Sequence, residues 1–499
     1  MVIIKQLSAG RQTIVSRING APVADMLRNS CVNGAISVMT RKFLAATLAF
    51  SMAAVASSRV WSDTLEAALG RAYQSNPQLT AQRALVRATD ENVPQALSGY
   101  RPKVAVTASG GIQYTDFVTG SPNGPGVDLH GKQIPRSVGA TITQTLFNGN
   151  QTANRTRAAE SQVSAAREGL RVLEQSVMFA AATVYMDYLR DSAILEVQRS
   201  NVRVLEQTLQ QTRDRFRVGD VTQTDVSQSE AQLAAGRTQM LSAEAILTTT
   251  QANFFRIVGN EPQGLAPGSP VDRFLPPTLV GAIELARSEN PNVTAATFGV
   301  DVAFLQVKIN EGALFPTVTV QASAQQAWEP QLTVSRQFGA SAIAQVSVPI
   351  YQGGAEYSLI RQSKESLTQQ RLNLEQTRDQ ARSNVVQAWG QLLAGRAQVA
   401  SAQAQVTASE RALNGVRDEA RVGQRTTLDV LNAQQALVNA RVSLVTAQHD
   451  RVVASYAVLN AIGRLSPVVL KLDTPIYDPG VHYFQTRDSW AGVRTPDGK

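Results

Sequence analysis

The longest regular pattern in the chain is a hydrophobic residue at every seventh position. In the first half it runs through Val163, Leu170, Val177 and Val184, steps by four residues to Tyr188, and then resumes the spacing of seven. Long helices that bury a narrow stripe against one another have this period. Because a step of four residues locally unwinds a supercoil, we predict that the helix changes its packing near Tyr188.

The same pattern, with its step, recurs 204 residues later and indicates an internal repeat. The heptads of the two copies are interrupted by "RVGDVTQTDV" from Arg217 and by "RVGQRTTLDV" from Arg421. Upstream, "TLEAALGRAYQSNPQLTA" from Thr64 matches "TLVGAIELARSENPNVTA" from Thr278 at an offset of 214. The first copy therefore contains about ten additional residues between the two matched regions.

Between the short helices and the long ones, the hydrophobic period changes from seven to two. The alternating segments are "KVAVTASGGIQY" and "SVGATITQTLF" in the first copy, and "TVTVQASAQQAW" and "FGASAIAQVSVPIY" in the second. Such alternation is typical of β-strands with two different faces. We predict a β-hairpin at 103–148, with His130 in its loop, and a second β-hairpin at 317–351.

The stretch that interrupts the long helices has the chemistry of a tight helical hairpin. Gly219 and Gly423 follow the last heptad position, where glycine readily takes the left-handed conformation that ends a helix. In each copy a threonine follows, with an aspartate three residues later, which is a pattern that opens a helix. These capping pairs are Thr222 with Asp225 and Thr426 with Asp429.

The N-terminus changes the interpretation of the charge. "MTRKFLAATLAFSMAAVASS" from Met39 has the basic start, apolar stretch and small-residue cleavage site of a secretory signal, which we place at 39–56. Its apolar run is shorter than the roughly 20 residues of a membrane-spanning helix. We interpret residues 1–38 as a non-native extension. Removal of residues 1–56 lowers the formal net charge from +8 to +3, which takes away the main support for nucleic-acid binding.

The chain offers little for catalysis or metal binding. Its three histidines are His130, His449 and His482, and none has a second histidine, a cysteine or a carboxylate at metal-binding spacing along the sequence. No glycine-rich phosphate loop or nucleophile elbow is present in the sequence. We predict no enzymatic activity, no metal and no cofactor.

From Thr64 to about Gly463 the chain resembles the TolC family of outer-membrane exit channels. The resemblance rests on the duplicated order of short helix, Asn-Pro pair, helix, two strands, long helix, Val-Gly hairpin and return helix. It implies an α+β membrane protein, a homotrimer with a twelve-stranded transmembrane β-barrel to which each chain gives four strands. A long α-helical coiled-coil tunnel would continue the barrel through the periplasm.

The function implied by this resemblance is a passive exit duct of a tripartite efflux or type I secretion system. Such a duct exports drugs, toxic compounds or proteins, and it works with a periplasmic adaptor protein and an inner-membrane transporter of RND or ABC type. The alternative is a secreted periplasmic coiled-coil scaffold without a barrel. That alternative explains the helices but leaves the matched strand hairpins unexplained.

The repeat also divides the chain into segments. We predict long helical hairpins at 150–259 and 353–463, each at the end of one repeat. The predicted segments are a first repeat at 57–259, a linker at 260–277, a second repeat at 278–463 and a C-terminal tail without a repeat at 464–499.

In the TolC family the Val-Gly hairpins form the periplasmic tip, where an adaptor docks and the closed channel is held shut. Two positions depart from the family pattern: Ala420 replaces a gate tyrosine, for which Glu419 is a candidate substitute, and Asn432 replaces a second ring aspartate. The residues carried over by position are the adaptor contacts Val218, Gly219, Val422 and Gly423, and the gate residues Thr224, Asp225, Arg425 and Asp429.

Overall fold

Long helices account for most of residues 63–120, 124–496 and 498, which are the residues described by the computed structural model. In chain order the helices are α1 (Leu65–Ser75), α2 (Pro77–Asp90), α3 (Asn92–Leu97), α4 (Gln151–Arg217), α5 (Gln223–Val258), α6 (Leu279–Glu289), α7 (Pro291–Gly312), α8 (Ala355–Arg421), α9 (Thr427–Ile462) and α10 (Gly480–Thr486). Helices α4 and α8 have 67 residues each, which at 1.5 Å per residue is about 100 Å. The return helices α5 and α9 have only 36 residues each. Each long helix is therefore paired with its return helix over about half its length.

The heptad positions form the buried seam of α4, as the sequence predicts. Leu170 is 2% exposed, Val177 is 4% exposed and Leu195 is 4% exposed. The step in the pattern lies where α5 reaches its last turns, since the ring of Tyr188 is 6.3 Å from the ring of Phe254. Before this point α4 packs on α1, α2 and α7 and on the C-terminal ends of α5 and α9, and beyond it α4 packs only along the remaining length of α5 and α9 among the described helices. The change of partners explains the change of phase.

The Asn-Pro pair of each repeat joins three helix ends. The side chain of Asn290 accepts from the amide of Asn292 (2.9 Å), which starts α7, and donates to the carbonyl of Ala461 (2.9 Å), which lies in the last turn of α9. Asn76 does the same between α2 and the last turn of α5. Proline as the first helical residue has no amide hydrogen to leave unpaired. The repeated dipeptide therefore fixes the short helices to the ends of the return helices.

The two repeats differ in the helix that precedes the strands. The sequence predicts one helix from the Asn-Pro pair to the proline before the strands in both copies, and in the second copy α7 is such a helix. In the first copy this prediction is wrong, because α2 ends at Asp90 and α3 begins at Asn92. Pro94 lacks the amide hydrogen that would donate to Asp90, and its ring would clash with that carbonyl.

The strands form two antiparallel sheets. The larger sheet has the order β1-β4-β5-β6, so β1 and β6 are its edges, and the smaller sheet pairs β2 with β3. In chain order the strands are β1 (Lys103–Gly110), β2 (Gln113–Thr119), β3 (Val127–Gln133), β4 (Arg136–Asn148), β5 (Thr317–Gln331) and β6 (Val334–Ser347).

In the first β-hairpin, strand pairing continues into the segment that the sequence predicts to be a loop. Residues 127–133, expected to be part of a loop, form β3, and His130 therefore lies on a strand. The ladder is interrupted between the two sheets, where Pro135 cannot donate a hydrogen bond and its carbonyl accepts from Gly111 (3.0 Å). In the second hairpin β6 ends at Ser347, before Pro349, so its predicted end at residue 351 is four residues too late.

The C-terminal tail packs against the first repeat. Leu465 and Leu470 belong to the largest buried cluster. In α10, His482 Nδ1 is 3.0 Å from the Asp90 carboxylate, which is fully buried, and Arg167 Nη2 is 3.8 Å from the same carboxylate. Burial is the main cause that raises the pKa of the Asp90 carboxyl above its ordinary value.

The predicted signal peptide at 39–56 and the predicted extension at 1–38 lie outside the described residues. Within the described part of the chain, no helix combines the length and the apolarity that crossing a membrane requires.

Candidate functional site at the helical hairpin tips

Each long helical hairpin turns at a valine followed by a glycine. Gly219 and Gly423 have φ angles of +79° and +80°, a conformation that glycine adopts without the steric cost of a side chain. Val218 and Val422 precede them and are 80% and 71% exposed. The four residues predicted to contact an adaptor therefore lie at the ends of the two hairpins, with their valine side chains open to a partner.

Both return helices begin with a complete capping box. Thr222 Oγ1 accepts from the amide of Asp225 (3.3 Å), and Asp225 Oδ2 accepts from the amide of Thr222 (2.9 Å). Thr426 and Asp429 repeat these bonds at 3.2 Å and 3.0 Å. Bonds from the side chain and the backbone of Thr222 lower the pKa of the Asp225 carboxyl, and bonds from the backbone and side chain of Thr426 lower that of Asp429. Both aspartates are therefore charged at neutral pH.

Arg425 lies in the second turn and forms an ion pair within its own hairpin. Its Nε donates to Oε2 of Glu419 at 2.8 Å, and both side chains are about half exposed. The hydrogen bond to Glu419, followed by the charge of that carboxylate, raises the pKa of Arg425 above its ordinary value. Glu419, which directly precedes Ala420, is therefore the ion-pair partner of the predicted gate arginine.

The first turn has the opposite arrangement of charge. There Arg215 Nε donates to Oδ2 of Asp220 at 2.5 Å. Arg215 and Glu419 are equivalent positions, since 204 residues separate them. The helical member of this ion pair is therefore cationic in the first hairpin and anionic in the second, whereas the member in the turn is anionic in the first and cationic in the second. Arg215 and Asp220 were not among the predicted site residues, although this reversal can be read by comparing the repeats.

The two hairpins contact each other a few turns behind their tips. Leu431 in α9 packs with Leu205 and Val226 of the first hairpin, and Gln232 donates to Gln435 at 3.1 Å. Between the hairpins lies a groove of about 390 Å³. Its lining includes the three arginines Arg215, Arg417 and Arg421, together with Ala420 and Thr427.

The chain does not bring all predicted gate residues together. Thr224 and Asp225 lie in the first turn of α5, and Asp429 lies in the first turn of α9. The hydrogen bond of Arg425 goes to Glu419 and not to either residue of the first hairpin. Asn432 is exposed on α9.

A family model described as "Outer membrane efflux protein" matches the chain twice, at residues 68–260 and 282–464. The chain belongs to the outer membrane efflux protein family. Each match covers one copy of the repeat and includes one of the two tip hairpins. The family assignment made from the sequence is thereby confirmed, and the protein is an outer-membrane channel protein.

Relatives match over most of their length. The outer membrane efflux protein BepC of Brucella suis is 38% identical over 92% of this chain and 98% of its own length. The outer membrane protein TolC of Vibrio cholerae is 26% identical over 82% of this chain and 93% of its own length. The solved structure of the CmeC outer membrane channel of Campylobacter jejuni matches with a TM-score of 0.71 at 15% identity, covering 85% of this chain and 89% of that one. At this identity the structural match shows the shared fold.

Proposed function

We propose that three copies of this chain close their sheets into one twelve-stranded barrel in the outer membrane, continued by a periplasmic tunnel of long helices. The observation that carries this proposal is the open sheet of four strands, whose edges β1 and β6 each have only one neighbouring strand in the described part of the chain. Unpaired strand edges are not tolerated in lipid, and closure is the way to remove them. Four strands are too few for a wide closed barrel.

The exposed side chains of the sheet support a position in lipid. On one face, Val104 and Val106 of β1 are 67% and 73% exposed, and Val138 and Ile142 of β4 are 48% and 45% exposed. The register places Val104 directly opposite Ile142, so these side chains form one continuous apolar band. An outward apolar band is what a barrel presents to the hydrocarbon core.

The internal repeat supplies a register for the contact between subunits. Within one sheet, Thr143 of β4 pairs with Gln321 of β5 across the junction of the two repeats. The repeat offset of 204 makes Ser347 on β6 the equivalent of Thr143. The offset of 214 makes Thr107 on β1 the equivalent of Gln321. We therefore place Ser347 opposite Thr107 of the partner subunit. The same offsets relate the pairs within the two hairpins, which are Lys103 with Thr143 and Thr317 with Ser347.

Cysteines at Ser347 and Thr107 are expected to cross-link the subunits. In a Cys31→Ser background, the double variant Ser347→Cys/Thr107→Cys should give covalent trimers on a non-reducing denaturing gel after mild oxidation. Within one chain these strands are three spacings of about 4.8 Å apart, which exceeds the roughly 7 Å limit between the Cα atoms of a disulfide. Only a contact between subunits can therefore form the bond.

The matched control keeps Thr107→Cys and moves the second cysteine to Ala340, seven residues along β6. At about 3.3 Å per residue this displaces it by roughly 23 Å, so no covalent trimer is expected. Absence of cross-linking in the first variant, or equal cross-linking in both, would contradict the proposed closure.

At the tips, we propose that the predicted gate and adaptor residues have the roles that the family resemblance implies. The reversed charge of the two turns supports this assignment, because alternating first and second hairpins around a ring would place unlike charges next to each other. Arg425 of one subunit would then face Thr224 and Asp225 of the partner subunit, and Asp429 would line the constriction. The exposed Val218 and Val422, with their glycines, would contact a periplasmic adaptor that recruits an inner-membrane transporter of RND or ABC type.

Transport is tested by complementation of a deletion strain. Loss of the gene is expected to cause hypersensitivity to drugs and bile salts, or retention of an exported protein, and the wild-type gene should reverse this phenotype. Val422→Asp should fail to restore export, because a charge at the exposed tip valine disrupts an apolar docking contact. Val280→Asp is the control, since Val280 is also 71% exposed but lies in α6. A deletion without either phenotype would contradict the exit-duct function, and equal loss in both variants would contradict the docking role.

A further inference from the structure

Three potential metal ligands lie together on the β2–β3 hairpin. Asp116 on β2 pairs directly with His130 on β3, and Asp128 precedes His130 by two positions. Directly opposed residues, and residues two apart on one strand, project from the same face of a sheet. One ligand atom from each of these three side chains lies within 4.8 Å of the other two. The strand register thus brings together residues that are up to 14 positions apart in the sequence.

The opposite face of the hairpin holds it in place. Gln133 is buried and donates to Thr115 Oγ1 at 2.7 Å. A Cβ atom at Gly131 would lie 2.9 Å from Cδ2 of Leu332, so this face packs against the turn between β5 and β6. The ligand-bearing face is directed away from this contact. The backbone under the three side chains is therefore supported while the side chains remain open to solvent.

The local charge favours a cation. Asp116 and Asp128 are diagonal neighbours on one face, with carboxylate oxygens within 4.8 Å of each other, and like charges at this distance repel. Within the described part of the chain, the ion-pair contact that these carboxylates make is between Asp128 Oδ1 and His130 Nδ1, at 3.8 Å. Lys132 lies further along the same face and forms no ion pair with either carboxylate among the described residues. A bound cation would relieve the repulsion between the two aspartates.

The donor set selects the kind of cation. One imidazole nitrogen with two carboxylate oxygens suits divalent first-row transition metals, whereas calcium and magnesium prefer oxygen ligands alone. Zinc binds nitrogen and carboxylate oxygen at about 2.0–2.2 Å. His130 and Asp128 have side chains that are 65% exposed, so they are free to rotate toward a shared ion. Three protein ligands leave a coordination position for water.

We propose that Asp116, Asp128 and His130 bind one divalent transition-metal ion per chain. The ion would link β2 to β3 between the middle of this hairpin and its loop, since Asp116 and His130 form the middle pair and Asp128 lies one pair from the loop end. In the proposed barrel the hairpin continues the strands away from the helices, toward the outside of the cell, and this placement alone rests on the proposed function. The binding itself is a property of the hairpin and does not depend on transport.

The test uses the purified full-length protein, freed of any affinity tag, and Zn²⁺ as the probe in calorimetry. We expect one Zn²⁺ per chain, with an affinity that falls at least tenfold in His130→Ala and in Asp116→Asn/Asp128→Asn. These residues are exposed, so the variants should fold normally. With Cu²⁺ in place of Zn²⁺, electron paramagnetic resonance should show coupling to one imidazole nitrogen, which is absent in His130→Ala.

Lys132→Gln is the matched control, since it changes a charge on the same face of β3 without removing a ligand. It should retain one Zn²⁺ per chain. Zinc binding that is equal in the wild type and His130→Ala, or no binding to the wild type, would overturn the proposal. Export by the His130→Ala variant reports separately on the channel, so failure of the metal site is distinguishable from failure of the proposed function.

Discussion

Replacement of Arg425 by alanine is expected to raise the single-channel conductance of the protein in planar bilayers several-fold. In the structure Arg425 Nε donates to Glu419 at 2.8 Å, and both side chains lie at the tip of the second hairpin. We propose that this pair positions the guanidinium against the first hairpin of the partner subunit, where Thr224 and Asp225 are exposed or partly exposed. Exposed ion pairs stabilise weakly and are screened by salt. A closed tip held by three such contacts should open when all three are removed.

Two further variants separate this role from a general effect of charge. Glu419→Gln removes the partner of Arg425 within the hairpin and should raise the conductance less, since Asp225 of the partner subunit remains. Arg421→Ala removes a neighbouring arginine that pairs with Asp418 at 3.1 Å and should leave the conductance unchanged. An unchanged conductance in Arg425→Ala, or an equal increase in Arg421→Ala, would rule out Arg425 as the gate residue.

Local patterns were sufficient to predict the long helices and their turns. A glycine at the end of a heptad run, followed by a threonine and an aspartate at helix-capping spacing, depends only on nearby backbone chemistry. The structure accordingly has Gly219 in the left-handed conformation and a complete capping box at Thr222. The heptad step near Tyr188 was also informative, because a change in the hydrophobic phase records a change of packing partner.

Features that depend on contacts between distant segments were missed. The proximity of Asp116 to His130 cannot be read from spacing along the chain, because it depends on the register that places these residues opposite each other on β2 and β3. The break between α2 and α3 was missed because the repeat suggested a continuous helix, although Pro94 signals the break. The contact of His482 with Asp90 joins residues 392 positions apart, and no periodic pattern reports such a contact.

A methyl group at Gly463 is expected to destabilise the protein more than one at any tip glycine. Gly463 ends α9 with a φ of +93°, and a Cβ atom there would lie 2.6 Å from Cα of Asn290 and 2.8 Å from Cδ of Pro291. These atoms belong to the backbone and to a proline ring that starts α7, so they cannot move aside as a flexible side chain can. The left-handed conformation costs a non-glycine residue about 1–2 kcal/mol, and overpacking adds about 1–3 kcal/mol. We expect Gly463→Ala to lower the urea midpoint of the detergent-solubilised protein strongly.

The chain provides two controls that have the same backbone conformation. Gly423 has a φ of +80°, and no described atom lies within 4 Å of the position that a methyl group would occupy there, so Gly423→Ala should show only the conformational cost. Gly259, the equivalent of Gly463 in the first repeat, has a φ of +91°. A Cβ atom there would lie 3.0 Å from Ser75 Oγ, a close contact that a rotation of the serine side chain relieves. The loss of stability should therefore increase from Gly423 to Gly259 to Gly463. Equal losses of stability at all three positions would mean that the backbone conformation alone determines the loss. The contact of Gly463 with Asn290 and Pro291 would then adjust to a larger residue.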